Sequence, residues 1–502
     1  MPGTTTRTFD VVVIGAGPVG ENVADRTTAA GLDTVIIESE LIGGECSYWA
    51  CDPSKALLRP ALLHSDLRGV PGLERAADQA LDTAAVFKHR DAMASEWDDS
   101  SQVEWLNQAG ISLIRGHGRL AGPKEVTVTT PEGDVLLVTA RHAVAVCTGT
   151  SAALPPLPDL DALRPWTSRE ATSAKAAPAR LAVLGAGVVA AEMATAWQAL
   201  GSQVTLIARE PGLLPRVEDF AAELVTERLR ESGVEFRFDS GIAAAARRGG
   251  SAGSDSEFDA GSDSSSDSGE VHITLVDGTE LVVDELLLAT GRAPRTEDIG
   301  LETVGLKPGD WLATDDMFTV DEVAGEWLYA VGDVNRRALF THQGKYQARI
   351  AGAVIAARAH RRPLDIRRWS RFVGTADRAA VPQVVFTDPE IASVGLTTAE
   401  AERTGQVVDV VDYEIGRVAG AVQYRTDYRG HARLVIDRRR QTVVGATFAG
   451  PGVAELLHSA TIAIAGEVPV ERLWHAVPAF PTISEVWLRL LETYRDSAAA
   501  TL

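Results

Sequence analysis

Cysteine is scarce in this 502-residue chain, which contains only three. So few cysteines exclude a secreted scaffold held together by disulfides and fit a reducing compartment. Long apolar runs are missing too: no stretch of about 18 or more apolar residues occurs, so we expect no membrane-spanning helix. Residues 1–7 lack the apolar core of a signal peptide. These absences predict a cytoplasmic protein.

Positive charge is also in short supply. The chain has 48 Lys and Arg against 69 Asp and Glu, a formal net charge of −21. Because nucleic acids and anionic membranes are themselves negative, this balance disfavours both as partners. Apolar residues, in contrast, make up 45% of the chain, enough for a sizeable core. The length predicts about three domains.

The clearest pattern near the start is a dinucleotide-binding fingerprint in residues 9–20, FDVVVIGAGPVG. An apolar β-branched run ends in G-x-G-x-x-G and is followed by a helical pattern of small residues. Gly15 permits the tight turn, Gly17 lets a pyrophosphate approach the backbone, and Gly20 lets helix and strand pack closely. Glu38 ends the next apolar strand, where a carboxylate takes the ribose hydroxyls.

The chain repeats this pattern in residues 180–190, RLAVLGAGVVA. Gly185 and Gly187 match the first two glycines, and Ala190 stands in place of the third, a substitution that the fingerprint tolerates. A further apolar strand follows at 203–207. Two such units predict binding of two dinucleotides.

A pair of cysteines, Cys46 and Cys51, lies between these two units, after Gly44 and just before Lys55. Two thiols five positions apart can cycle between dithiol and disulfide if a turn holds them together. The alternative is two buried structural thiols, since cysteine also packs as a small apolar residue. Their position shortly after the first fingerprint, where a flavin ring would sit, favours the redox interpretation.

Together these motifs resemble the FAD-dependent pyridine nucleotide-disulfide oxidoreductases, which include dihydrolipoamide dehydrogenase, glutathione reductase and mercuric reductase. The resemblance runs from about residue 8 to about residue 493 and implies an α/β fold. It implies two Rossmann-like dinucleotide-binding domains and a C-terminal α+β dimerisation domain through which a homodimer forms. The motifs that carry it occur in the family order at residues 15–20, 46–55, 147–149, 185–192, 289–292, 329–334, 382–390 and 481–485.

The resemblance also implies domain limits. They are an FAD-binding domain at 1–150, an NAD(P)-binding domain at 151–285, a central segment at 286–355 that completes the FAD site, and an interface domain at 380–502. The Ser-, Gly- and Asp-rich stretch at about 249–269 does not belong to this fold. It cannot bury enough apolar area to offset its conformational entropy, so we predict a disordered surface loop. Regulation through serine phosphorylation is the alternative.

Roles for individual residues follow from the resemblance. Cys51 would be the thiol nearest the flavin and Cys46 the interchange thiol that faces substrate. Lys55 would lie beside flavin N5 with Glu192 as its carboxylate partner, and Asp333 would bind the ribityl hydroxyls. The predicted cofactor-binding residues are Gly15, Gly17, Gly20, Glu38, Gly44, Lys55, Thr148, Gly149, Gly185, Gly187, Arg209, Gly291, Arg292 and Asp333.

The end of the second fingerprint's second strand bears on the choice of nucleotide. A carboxylate there binds the 2′-hydroxyl of NAD, whereas an arginine attracts the 2′-phosphate of NADP. Ala208 replaces the glutamate typical of NAD-using relatives, and Arg209 can donate charge-assisted hydrogen bonds to a phosphate. The carboxylate of Glu210 weakens this preference for a 2′-phosphate. The sequence therefore favours NADPH, and NADH is the alternative.

The sequence departs from the family pattern at the catalytic base. Where disulfide reductases carry the histidine of a His-Pro-Thr-x-x-Glu motif, this chain has Phe480, which cannot accept a proton. Glu485, the acid that would orient the histidine and our fifth predicted catalytic residue, is present. His475 lies five residues before Phe480, and we expect it to be a surface residue at the end of a helix.

The cysteine loop is unusual as well. Tyr48 and Trp49 stand where relatives carry small or polar groups, and they could narrow access to Cys46 or offer a flat stacking surface. Asp52 would disfavour the neighbouring thiolate through like charge. Cys147 replaces a typical alanine, and we expect it to be a packing residue.

These features predict an FAD-dependent NAD(P)H oxidoreductase that passes hydride through FAD, and through a Cys46–Cys51 redox disulfide, to a small acceptor such as a quinone. The alternative is a dithiol-disulfide reductase of the dihydrolipoamide dehydrogenase or mercuric reductase type. The mercuric type is disfavoured because the last cysteine is Cys147, so no terminal pair exists. A redox sensor whose disulfide state controls a partner is a third possibility. We predict no metal site.

Overall fold

The computed structural model of the protein describes residues 5–249 and 269–499. Nearly all of the Ser-, Gly- and Asp-rich stretch predicted to be disordered therefore lies outside the described residues. The residues that flank it, Arg248 and Glu270, are opposite each other on two adjacent antiparallel strands.

Twenty-one strands form the sheets of the described chain. They are β1 Thr5–Ile14, β2 Thr34–Glu38, β3 Ser112–Arg115, β4 His117–Gly122, β5 Glu125–Thr129, β6 Val135–Val146, β7 Thr150–Ala152, β8 Arg180–Leu184, β9 Gln203–Ile207, β10 Glu235–Arg237, β11 Ile242–Arg248, β12 Glu270–Leu275, β13 Glu280–Val283, β14 Glu285–Leu288, β15 Arg292–Pro294, β16 Leu328–Ala330, β17 Pro382–Val385, β18 Glu390–Gly395, β19 Val408–Glu414, β20 His431–Asp437 and β21 Thr442–Gly450.

The α-helices of the described chain number seventeen, and several are single turns. They are α1 Pro18–Ala29, α2 Gly44–Tyr48, α3 Cys51–Leu67, α4 Glu74–Ala77, α5 Thr83–Met93, α6 Ser100–Ala109, α7 Leu160–Leu163, α8 Ser168–Ser173, α9 Val188–Ala199, α10 Asp219–Glu231, α11 Thr341–Ala359, α12 Ala376–Ala379, α13 Thr398–Arg403, α14 Ala419–Tyr424, α15 Leu457–Ala465, α16 Val470–Leu473 and α17 Glu485–Ala499.

The chain divides into two compact units. The first comprises the residues up to Pro53, then Asp91–Ser151 and Arg292–Val381. Its sheet has the order β3-β2-β1-β6, all parallel, and β16 pairs in parallel with the end of β6. β5 and β4 extend the sheet in antiparallel fashion from the start of β6. The second half of β1 is buried on both faces, as expected for a parallel strand covered by helices.

Two helices of the first unit, α1 and α11, pack together within one apolar cluster. Small residues allow this close approach: a Cβ at Gly352 of α11 would lie 2.6 Å from Cβ of Arg26 on α1. This packing brings residues that are more than 300 positions apart in the sequence onto the same side of the sheet.

The second unit comprises Ser54–Arg90, Ala152–Gly291 and Pro382–Leu502. It contains a parallel sheet of order β10-β9-β8-β14, a three-stranded antiparallel sheet β11-β12-β13 and a five-stranded antiparallel sheet β17-β18-β21-β20-β19. Every residue of α9 from Ala190 to Trp197 is buried, because this helix lies in the largest apolar cluster of the unit.

The predicted α/β fold class is confirmed, and both fingerprints form the strand, turn and helix that they predicted. In the C-terminal part of the chain, β19 and β20 pair in antiparallel fashion. The domain limits at 150, 285, 355 and 380 remain predictions. Among the residues that the structure describes, no helix is long and apolar enough to cross a membrane.

A buried hydrogen-bond network in the first unit supports the turn after β16. Oε1 of Gln347, on α11, accepts hydrogen bonds from the amide of Gly332 and from Nδ2 of Asn335, both at 2.8 Å. The amide nitrogens of Gln347 and Gln343 in turn donate to the carboxylate of Asp377, at 3.0 and 2.7 Å. Asp377, on α12, therefore fixes the amides that hold this turn.

Burial raises the pKa of Asp377 from 3.8 to about 6, although Gln343, Arg337 and Gln347 stabilise its anion. Nε of Arg337 lies 3.3 Å from this carboxylate, while the charge of Asp316 opposes ionisation. The folded protein therefore holds this proton more tightly than the unfolded chain does. Its contribution to stability is complete below about pH 4 and is lost as the pH rises through about 6.

We expect Asp377→Asn to remove this pH dependence. Between about pH 7.5 and about pH 5 the native protein should gain roughly 1 kcal/mol of unfolding free energy relative to the variant, because only the aspartate takes up a proton. Denaturant unfolding of both proteins across this range measures the difference. The exposed Asp321→Asn variant is the control. If the difference in unfolding free energy between the native protein and Asp377→Asn stays constant with pH, the carboxyl of Asp377 does not titrate in this range.

Candidate functional site

The turn between β1 and α1 has the shape that a dinucleotide requires. Gly15 has a φ of +100°, and a Cβ there would lie 2.6 Å from the carbonyl oxygen of Cys147; a Cβ at Gly20 would collide with the carbonyl of Gly15. Around Gly17, in contrast, no atom of the described residues beyond its chain neighbours and its own helix lies within 4 Å of the position of a Cβ. The N-terminus of α1 is thus open to a pyrophosphate, which the helix dipole and unpaired amides favour.

Glu38 and Gly44 lie close to this turn. The carboxylate of Glu38, at the end of β2, accepts hydrogen bonds from the amides of Ala16 at 2.6 Å and Glu40 at 2.8 Å. Gly44 has a φ of +58°, and a Cβ there would lie 2.9 Å from Cα of Gly17. Helix α2, which carries the first cysteine of the predicted pair, therefore begins directly against the glycine turn.

Asp333 forms a second part of the site in the first unit. Oγ1 of Thr150 donates to Asp333 at 3.0 Å, and the guanidinium of Arg292 donates to Oγ1 and O of Thr150 at 2.9 and 2.7 Å. Burial raises the pKa of Asp333, while Thr150 and Arg292 act in the opposite direction. Thr150 directly follows the predicted residues Thr148 and Gly149, and sequence reasoning missed it.

Thr148 adds an independent sign that a ligand fits here. Within the described part of the chain, its hydroxyl is buried and has no hydrogen-bond partner, a condition that costs free energy unless a partner binds. Gly149 has a φ of +68° with nothing within 4 Å of a Cβ position. Together with the glycine turn and the half-buried Asp333, these residues fit FAD.

The two cysteines of the predicted redox pair are both half-buried thiols. Thr341, the first residue of α11, contacts both: its Oγ1 donates to Sγ of Cys46 at 3.1 Å and lies 3.2 Å from Sγ of Cys51. The pKa of Cys46 is raised above its usual range by its hydrogen bond with Cys51, by burial and by the negative charge of Asp52, against the opposing effect of Thr341. These effects together favour the neutral thiol of Cys46 over its thiolate.

Tyr48 corrects one prediction about the cysteine loop. Its side chain is only 1% exposed, and its hydroxyl donates to the carbonyl oxygen of Ile42 at 2.9 Å. It therefore cannot offer a stacking surface to an acceptor. The indole of Trp97 donates to the Tyr48 carbonyl at 3.2 Å, and Trp49 is half-buried. A role for Trp49 in access to Cys46 remains a prediction.

The second unit contains the predicted ion pair of Lys55 and Glu192, whose Nζ and Oε2 are 2.7 Å apart. Glu192 lies on α9 and is buried, and its Oε1 accepts a hydrogen bond from the amide of Phe386 at 3.0 Å. The ammonium of Lys55 also lies 5.0 Å from the centre of the Phe386 ring. A buried carboxylate is costly unless paired, so these contacts hold Lys55 in one place. Phe386 lies within a recognised motif, but sequence reasoning gave it no role.

The second fingerprint forms a turn like the first. Gly185 has a φ of +138°, and a Cβ there would collide with the carbonyl of Ala289, whereas nothing lies within 4 Å of a Cβ position at Gly187. Arg209 follows β9 and is exposed, and Gly291, with a φ of +129°, follows β14. The turn has the shape that a second dinucleotide requires. Arg209 lies just after the end of β9, where a 2′-phosphate would bind.

The stretch around Phe480, where the sequence predicts that the family's base is replaced, also lies in the second unit. Phe480 is 77% exposed, and Glu485 begins α17 and accepts a hydrogen bond from the amide of Gly420 at 3.4 Å. His475 is exposed just after α16, as expected. Exposed apolar residues such as Phe480 and Val477 are typical of a surface that another subunit covers. In residues 5–249 and 269–499, no cluster of three or more His, Cys, Asp or Glu side chains could hold a metal ion.

Cys147 lies in the apolar core of the first unit, where burial raises the pKa of its thiol above the usual range. This environment is typical of a packing residue, and it disfavours formation of a thiolate. This agrees with the role expected from the sequence.

Comparison with solved structures supports the fold. The chain is similar to the HOCl-induced flavoprotein disulfide reductase RclA from Escherichia coli, determined as a Cu(II) complex, with a TM-score of 0.79, 22% identity and coverage of 97% of this chain and 99% of that one. It is also similar to LpdA from Mycobacterium tuberculosis, with a TM-score of 0.78, 23% identity and coverage of 97% and 99%.

Curated relatives match over most of their length. Dihydrolipoyl dehydrogenase 2 from Haloarcula marismortui is 30% identical over 509 aligned positions, which cover 99% of each chain. Mercuric reductase from Staphylococcus aureus is 27% identical and covers 95% of this chain and 81% of the relative.

Two family models account for most of the chain. Residues 381–490 match the dimerisation domain of the pyridine nucleotide-disulphide oxidoreductases, which supports a homodimer. Residues 9–358 match the family's main model. The chain therefore belongs to the pyridine nucleotide-disulphide oxidoreductase family, an FAD-dependent class of enzymes whose members use NAD(P)H.

Proposed function

We propose that this flavoenzyme transfers electrons from NAD(P)H to a small acceptor that is not a disulfide, with quinones as the leading class. The observation that carries the proposal is Phe480 in place of the histidine base. When bound, FAD accepts a hydride from NAD(P)H and can release electrons to an acceptor. The scarcity of cysteine supports a cytoplasmic location as part of the same proposal.

The protonation of Cys46 explains why the base matters. A thiolate, not a thiol, attacks a disulfide. The pKa of Cys46 is raised by its hydrogen bond with Cys51, by burial and by Asp52. Without a base to remove this proton, exchange with an external disulfide is expected to be slow. Reduction of a quinone requires no sulfur nucleophile and avoids the problem.

Lys55 has a different role in this proposal. By the family resemblance, its ammonium, which pairs with Glu192 and lies over Phe386, would supply a positive charge beside N5 of bound FAD. Such a charge favours a reduced, electron-rich cofactor by Coulomb attraction. The contact between Phe386 N and Glu192 makes Phe386 a positioning residue for this pair.

The alternative is a dithiol-disulfide reductase, and the names of the relatives favour it. Dihydrolipoyl dehydrogenases and a mercuric reductase are among the matching proteins, and Glu485, which would orient a base, is retained. A redox sensor would differ from both by turning over slowly with every acceptor. Mercuric reduction is the least supported, because the last cysteine of the chain is Cys147.

The acceptor test separates the leading proposal from its alternative. With NADPH or NADH, the FAD-loaded dimer should reduce a soluble quinone at least 10-fold faster than lipoamide or glutathione disulfide, since a positioned base contributes roughly 10²–10⁴-fold to proton transfer. Cys46→Ser should spare quinone reduction and abolish any disulfide activity. Cys147→Ala, which removes a thiol from the core, is the matched control. Brisk reduction of lipoamide or glutathione disulfide by the native enzyme would promote the alternative.

Phe480→His tests the missing base directly. If Glu485 orients the introduced imidazole, disulfide turnover should rise by at least about 10-fold, within the range expected for a general base, while quinone reduction stays the same. Phe480→Ala controls for the loss of bulk, because it opens the same space without adding a base. An equal rise in both variants would mean that access, and not proton transfer, limits the native enzyme.

Arg209→Glu tests the preference for NADPH. Because a charge-assisted hydrogen bond contributes roughly 1.5–3 kcal/mol, KM for NADPH should rise about 10- to 100-fold with little change in kcat. Arg248→Glu, an exposed change on β11 of the same unit, should leave KM unchanged. Equal kcat/KM for NADPH and NADH in the native enzyme would refute the assignment.

A further inference from the structure

A strongly basic loop follows α11 in the first unit, and neither the cofactor sites nor the proposed reaction uses it. We define the arginine loop as residues 360–371, HRRPLDIRRWSR, which contain five arginines and a single carboxylate, Asp365. All five arginines are exposed. Ile366 is 71% exposed and Trp369 is 36% exposed. Basic and apolar side chains thus share one stretch of surface.

The backbone of the arginine loop is well anchored. Leu364 packs against the apolar core of the unit, and Phe372, which directly follows the loop, is buried in it. The amide of Trp369 donates to Oγ1 of Thr375 at 2.9 Å, and the hydroxyl of Ser370 donates to the carbonyl of Asp365. Ile366 and Trp369 are therefore held at the surface by neighbours that are tied to the core.

Trp369 also adopts an unfavourable backbone conformation. Its φ is +65°, in the left-handed region that a bulky residue rarely occupies and that costs about 1–3 kcal/mol. The guanidinium of Arg368 lies 5.3 Å from the centre of its ring, and that of Arg371 lies 4.7 Å from the ring of Phe372. These cation–π contacts stabilise the side chains of Arg368 and Arg371 against neighbouring rings.

The composition of this surface matches that of protein-binding hot spots. Tryptophan and arginine dominate such sites, and an apolar neighbour excludes water from the contact. Arg367 makes an ion pair at 2.7 Å with Asp365, the loop's own carboxylate. The loop remains strongly positive on a chain whose net charge is −21.

We propose that the arginine loop binds an acidic segment of a partner protein, with at least one apolar side chain of that segment against Ile366 and Trp369. The negative net charge of the chain disfavours larger anions as the partner of the arginine loop. DNA and anionic bilayers extend well beyond one loop and would face the acidic remainder of the surface, whereas screening confines a short segment's interactions to about 8 Å. A short acidic segment is attracted to the arginine loop without being repelled by the acidic remainder of the surface.

Binding of a synthetic peptide tests the proposal. A fluorescein-labelled peptide of Glu-Glu-Leu repeats should bind the FAD-loaded dimer in about 50 mM salt, measured by anisotropy, and weaken at least 10-fold in about 500 mM salt. The same peptide with Gln in place of Glu should bind at least 10-fold more weakly. The double change Arg367→Glu and Arg368→Glu should weaken binding of the acidic peptide by 10-fold or more, and Ile366→Ser by several-fold at both salt concentrations.

The control is the double change Arg403→Glu and Arg439→Glu, which reverses two arginines of the second unit and should bind the peptide like the native protein. The visible absorbance of bound FAD and the denaturant unfolding midpoint should be unchanged in every variant, which shows that each is folded whatever its acceptor and separates this test from that of the proposed function. If the double loop variant does not fold, Arg361→Glu with Arg362→Glu replaces it. Failure to bind the acidic peptide, equal loss in the control variant, or tighter binding to duplex DNA or phosphatidylglycerol vesicles would each overturn the proposal.

Discussion

The close contact between backbone atoms at the first glycine turn is the constraint on which the rest of the first unit depends. At Gly15 and Gly20 a side chain would strike a carbonyl, so strand β1 and helix α1 can meet only if both positions lack one. Gly44 extends the same constraint, because α2 begins against Gly17. The cysteines of the loop are therefore placed by the same turn that leaves room for a phosphate, and a nucleotide-binding site and a thiol pair share one scaffold.

Sequence reasoning succeeded where the information was local. A run of β-branched residues, a glycine turn and a small-residue helix occur within about 20 residues, and their physics is that of neighbours in the chain. It also predicted the Lys55–Glu192 pair through the family resemblance, and the structure brings these two residues together. The catalytic and cofactor roles of individual residues remain predictions.

The contacts that sequence reasoning missed join distant parts of the chain. Thr341 is 295 positions from Cys46, and Phe386 is 194 positions from Glu192. Thr150 reaches Asp333 across 183 positions. A threonine or a backbone amide carries no sequence signal for such a contact. Tyr48 was misjudged for another reason. A tyrosine has an apolar ring and a polar hydroxyl, so the same residue suits either a surface or a core. In this protein the hydroxyl is satisfied inside the core, because it donates to the carbonyl oxygen of Ile42.

The single hydroxyl hydrogen of Thr341 imposes an either-or choice on the two sulfurs beside it. Oγ1 can accept a hydrogen bond from one thiol and donate its own hydrogen to the other sulfur, but it cannot donate to both at once. Once either sulfur becomes negative, the hydroxyl is best turned towards it, and the remaining sulfur loses its donor. One side chain thus distinguishes two chemically identical groups. It biases the reduced pair towards a state with one anion and one neutral thiol, the asymmetry that any division of labour between the two cysteines requires.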